Sequence, residues 1–167
     1  NNLKKQSSDS KKDIQEKTKK AEFSEDQLRI ALKQEIGQGL AEVQREKDRV
    51  VVTVGSAGAF SSGSAKLTKK AREIMQKIAK VSAKGAGQVN VSGHTDDVPL
   101  IFGGQYRDNW DLAAARASSV VQELAKANTI PSDKLRAISF GETRPIEQND
   151  TKQGREKNRR IEIEIKY

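Results

Sequence analysis

The chain has 167 residues, with 31 Lys and Arg against 23 Asp and Glu, one His, no Cys and 34% hydrophobic residues. That content supports one modest domain with a polar extension, and the lack of cysteine excludes a disulfide framework and a thiolate zinc site. No stretch reaches the roughly 18 consecutive apolar residues of a membrane span. Aromatic residues at 4% are too few for a base-stacking surface, so only the net charge of +8 speaks for nucleic acid or another anionic polymer.

Up to Lys20 the only large apolar side chains are Leu3 and Ile14. Burial there cannot offset the entropy of ordering, so residues 1–23 are expected to form a flexible linker. Ser24 and Gln27 have capping-box spacing, and Leu28, Leu32, Ile36 and Leu40 recur every four residues, which predicts an amphipathic helix within 24–48 that frays near Gly37 and Gly39. Residues 49–167 then form the domain proper.

Val50, Val51, Val52 and Val54, ended by Gly55, predict a strand buried on both faces with parallel neighbours. Thr68 can cap a helix whose apolar face is Ala71, Ile74, Ile78 and Val81, with Gly85 as a left-handed residue beyond it. Val89 to Ser92 reads as a second strand. A polar loop from Gly93 to Asp108, with Pro99, Gly103 and Gly104, leads to a helix capped by Asp108 or Asn109 and carrying Leu112, Ala115, Val120 and Leu124. Leu135 to Phe140 reads as a strand, and Gly141 to Lys157 as a loop with room for one helical turn. In the last strand Ile161, Ile163 and Ile165 alternate with Glu162, Glu164 and Lys166, so one face only is buried. The expected fold class is α/β, an α+β sandwich: a β-α-β-α-β-β mixed sheet with helices on one face, preceded by the linker and the extra N-terminal helix.

The densest polar cluster, His94-Thr95-Asp96-Asp97, follows the second strand, at the carboxyl end where open α/β sheets place ligands. Asn109, Leu112 and Arg116 share one face of the next helix, so Leu112 can anchor it while Asn109 and Arg116 reach toward the same cleft. A carboxylate and a guanidinium converging there suit a ligand bearing both an ammonium and a carboxylate. The alternative is that Asp96 and Arg116 pair with each other. Of the two arginines that open the last strand, parity puts Arg159 with the buried isoleucines and Arg160 with the glutamates, so Arg159 is the candidate for the cleft. One His beside two carboxylates lacks the further ligands of a catalytic metal site, and Ser61, Ser62 and Ser64 are near no second histidine, so neither a cofactor nor a catalytic role is expected.

Together, Val91-Ser92-Gly93-His94-Thr95-Asp96, Asn109-Trp110-Asp111-Leu112 with Arg116-Ala117, Gly154-Arg155, and Asn158-Arg159-Arg160-Ile161-Glu162-Ile163 resemble the OmpA-like peptidoglycan-binding domain, from about Val50 to Tyr167. Thr95-Asp96-Asp97-Val98-Pro99, the long loop after it, Gly58-Ala59-Phe60 and Gly63-Ser64-Ala65 look most like the periplasmic part of flagellar stator B subunits, the MotB and PomB group. The resemblance implies a non-enzymatic domain in the periplasm that grips the diaminopimelate of the peptidoglycan stem peptide. Asp96 would take its ammonium and Arg116 its carboxylate, with Asn109 and Arg159 adding hydrogen bonds around Leu112. It also implies a homodimer, an inner-membrane helix outside this sequence, a stator A subunit met through that helix, and no nucleic-acid partner. A general cell-wall anchor of the OmpA or Pal kind, unconnected with the flagellum, is the alternative. Ala113 departs from the family's frequent Ser, and the loop from Val98 to Asp108 is longer than in plain outer-membrane relatives.

Overall fold

A computed structural model describes residues 2–102 and 104–167; Asn1, the start of the expected linker, and the loop glycine Gly103 lie outside the described residues. Five strands, β1 (Ala41–Glu46), β2 (Arg49–Gly55), β3 (Gln88–His94), β4 (Leu135–Gly141) and β5 (Arg160–Lys166), form one open sheet in the order β1-β2-β5-β3-β4. Only β3 and β4 run parallel. This is the mixed α/β architecture expected.

The valine run departs from its reading. β2 pairs antiparallel with both neighbours, and its burial alternates: Val50, Val52 and Val54 are in the core, while Val51 faces the other side between Gln44 and Glu164. The β-branched preference for extended backbone accounts for Val51 without a second buried face. β1 was hidden within the expected helix 24–48, because two small apolar residues, Ala41 and Val43, alternate with Glu42 and Gln44 over too short a span to stand out. It returns to β2 through a tight turn at Lys47, where φ is +54°.

The buried face of the sheet, including Val89, Val91, Ile161, Ile163 and Ile165, is covered by α4 (Lys69–Ser82) and α5 (Asn109–Lys126). Thr68 caps α4 by accepting from the Ala71 amide at 3.2 Å, as its position predicts. Gly85 follows at φ +86°. Asp108, rather than Asn109, caps α5 by accepting from the Asp111 amide at 2.9 Å. The opposite face is polar: Arg49 and Asn90 both bond Glu164, and Arg160 bonds Glu162.

The N-terminal segment is the main correction. Residues Asn2–Ala31 make one helix, α1, in place of a linker over 1–23 and a helix from 24. Ser24 is not a cap but a buried mid-helix residue whose hydroxyl receives the Tyr167 hydroxyl proton. The docked half, with Ala21 and Leu28 buried, supplies the costly nucleus, and the sequence ahead of it contains neither Gly nor Pro to stop the helix propagating backward. Beyond Leu32 a short helix, α2 (Lys33–Gly37), ends as Gly39 turns at φ +74°. Its Glu35 is fully buried and bound by Lys77 (2.8 Å) and Lys70 (3.3 Å) of α4. The Lys77 hydrogen bond chiefly holds the Glu35 carboxyl below the ordinary range, against the opposing effect of burial.

Candidate ligand-binding site

Close backbone packing fixes the geometry at the carboxyl end of β3. A Cβ on Gly93 would lie 2.3 Å from the Ala113 carbonyl oxygen, so glycine lets α5 rest directly on the strand. The contact sets Asn109 and Arg116, on α5, beside the loop that leaves β3. Arg159 reaches the same place from the junction of α6 (Lys152–Asn158) and β5. That junction is fixed by Asn158, fully buried, whose side chain accepts from the Ile146 and Glu147 amides and donates to the Glu147 carbonyl.

Asp96, Asn109, Leu112, Arg116 and Arg159 all line one cavity of about 660 Å³. Strand parity also sorts the two arginines as expected: Arg159 enters the cavity, and Arg160 binds Glu162 on the polar face.

Asp96 and Arg116 do not pair with each other. Asp96 Oδ2 accepts from Arg159 Nη1 at 2.6 Å, and Oδ1 from the Val98 amide at 3.0 Å. Each oxygen keeps a second lone pair. Arg116 is almost wholly buried, donates Nε to the Ser64 carbonyl at 2.9 Å and lies over the Phe60 ring at 4.9 Å, and its two terminal nitrogens have no hydrogen-bond partner among the described residues. Burial lowers its pKa from the ordinary arginine value; Arg159 adds to this, while Tyr106 and Asp96 oppose it. The guanidinium stays charged, and a desolvated charge without a carboxylate partner is a receptor for an anion. Asn109 donates to the Asp96 and Val98 carbonyls, at 3.3 and 3.2 Å, and so ties the loop to the helix.

Sequence reasoning quoted the residues that hold Arg116 only within two short motifs and gave them no place at the site. Phe60 and Ser64 lie some fifty positions away, between α3 (Ser56–Ala59) and α4, and only tertiary folding brings them to it. Tyr106 and Ser56 also line the cavity, and the Ser56 hydroxyl is buried without a hydrogen-bond partner among the described residues. His94, though adjacent in sequence, belongs to the other face: its Nε2 lies 3.4 Å from Glu162 and its ring stacks on Phe140. No group of three or more metal-ligating side chains converges among the described residues, and none of their helices is long and apolar enough to cross a membrane.

The OmpA family profile matches residues 59–159, which include every lining residue named above except Ser56. The chain belongs to the OmpA family. This membership makes it a non-catalytic module. It is 34% identical over 153 residues to the uncharacterized protein YtxE of Bacillus subtilis (strain 168), covering 89% of this chain and 63% of that one. It is 28% identical over 125 residues to motility protein B of the same organism, covering 74% of this chain and 48% of that one. The chain thus spans less than two thirds of either relative's length.

Solved structures agree. A MotB-like protein from Desulfovibrio vulgaris superposes with a TM-score of 0.82 at 22% identity, covering 92% of this chain and 94% of that one, a likeness of fold. The periplasmic domain of Helicobacter pylori MotB gives 0.66 at 28%, covering 75% and 87%. The cell wall anchor of the type VI secretion system (T6SS) from Pseudomonas aeruginosa gives 0.76 at 32%, covering 83% and 96%. The OmpA-family chain therefore matches the periplasmic domains of the MotB group in both sequence and structure.

Proposed function

We propose that this domain binds peptidoglycan in the periplasm by gripping the zwitterionic end of diaminopimelate, and that it anchors a flagellar stator to the wall. The observation that carries this reading is the uncommitted fork of buried Arg116, sharing a cavity with the Asp96 carboxylate. Arg116 takes the ligand carboxylate, and Asp96 takes the ammonium on its free lone pairs, with Arg159 alongside. Asn109 holds the loop in place, and Leu112 forms the floor. Relatives whose names speak of motility and of peptidoglycan binding support the reading. In the stator the domain works as one of two copies, joined to the membrane and to the A subunit by a segment outside this sequence, with no nucleic acid involved.

Calorimetric titration with meso-diaminopimelate tests the chemistry. Asp96→Asn and Arg116→Ala should each weaken binding by about 1.5–3 kcal/mol, the range for a charge-assisted contact, with an unchanged thermal midpoint. Unfolding of both variants would instead make the two groups structural. A general wall anchor is favoured as a second reading by the similarity to the T6SS anchor, since the pocket chemistry would be the same. Soft-agar motility of a strain lacking the full-length parent protein separates the two: lost swimming with normal filaments supports the stator.

A further inference from the structure

The cavity is larger than the ionic groups require, and one of its walls is built differently from the rest. Val98, Pro99, Leu100 and Ile101 line it from the loop after β3, with Tyr106 on the returning limb. Val98 is half exposed and Ile101 almost fully exposed. The Val98 end of this run is secured by the Val98 amide bond to Asp96 and the Asn109 bond to the Val98 carbonyl, and at the other end the Ile101 carbonyl accepts from the Gly104 amide at 3.2 Å, so both ends are tied and the side chains between them face the cavity. A soluble surface gains nothing from presenting a run of aliphatic side chains at the mouth of a charged pocket. Resting on the peptidoglycan reading above, we infer that this wall is a second subsite. It takes the alanine that follows the diamino acid in the stem peptide.

The geometry sets the order of events. The ionic groups fix the zwitterionic side-chain end of the ligand, so the peptide backbone of the same residue must leave through the open mouth. The loop lines that mouth, and it shares the Asp96 anchor, so a residue next to the gripped one passes over Leu100 and Ile101. An alanine side chain suits such a wall because its methyl buries apolar surface while the peptide carboxylate beyond it stays in the solvent at the mouth. The ionic end of the cavity then selects the diamino acid, and the loop selects the peptide that contains it.

Calorimetry with two probes tests this: free meso-diaminopimelate, and a disaccharide tetrapeptide purified from digested sacculi. The wild-type domain should bind the muropeptide about fourfold more tightly, roughly the yield of burying one methyl group. Leu100→Ser and Ile101→Ser should reduce that advantage to near unity while affinity for the free amino acid stays unchanged. Either an absent advantage in the wild type, or one that survives both substitutions, overturns the inference and leaves the ionic grip standing. Failure of both probes to bind overturns the wall-binding reading and the subsite together. Because Ile101 is exposed, its variant folds even if Leu100→Ser does not.

Discussion

Glu162 sits on the polar face of β5, away from the cavity, between a histidine and an arginine. His94 Nε2 at 3.4 Å and Arg160 Nε at 2.9 Å hold its pKa down to about 2, the histidine hydrogen bond contributing most and burial opposing. A carboxylate with a depressed folded-state pKa adds stability that is fully present above its unfolded value of about 4.5 and is lost as pH falls toward 2. The amount is at most about 3 kcal/mol, reduced by solvent screening at a partly exposed side chain. Urea melts of the wild type should therefore lose stability between pH 4.5 and 2, and Glu162→Gln should flatten that slope. Because His94 and Asp96 are two residues apart but serve opposite faces, diaminopimelate binding near neutral pH should be the same in this variant.

Among the elements, those whose periodicity has a chemical boundary were legible: α4 from Thr68, α5 from Asp108, and β5 from its alternating isoleucines. Where propensity and context disagree, the sequence misleads. The N-terminal segment has the composition of a solvated linker, but composition does not record that a docked helix can extend backward through good helix formers. Four valines in a five-residue run do not by themselves reveal which sheet face is covered. The site was half legible, because Asp96, Asn109, Leu112 and Arg116 lie within two neighbouring elements, whereas Phe60 and Ser64 meet Arg116 only in the fold. For α1 the division of labour is testable. Residues 2–16 are exposed, whereas Leu28 and Leu32 are fully buried. Deleting residues 1–16 should leave the thermal midpoint unchanged, while Leu28→Ala should cost about 2–5 kcal/mol, read by urea denaturation.

For the molecule as a whole, two sources of wall affinity have to be separated. The net charge of +8 attracts the domain to any anionic polymer, and exposed lysines and arginines account for most of it. Attraction of that kind is screened over about 8 Å at physiological ionic strength and fades as salt rises. The Arg116 contact is different, because its guanidinium is buried against Phe60 and the Ser64 carbonyl, and salt screens a buried charge much less than a surface one. Raising salt should therefore reduce co-sedimentation with purified sacculi to a plateau in the wild type and to background in Arg116→Ala. The gap between the two proteins should persist from 0.1 to about 0.5 M salt, over which the Debye length falls by about half. If the variant follows the wild type at every salt concentration, surface charge alone explains adhesion and the cavity plays no part in holding the wall. If the plateau is present but Asp96→Asn leaves it intact, the ligand is a simple anion and the ammonium half of the proposed recognition falls away.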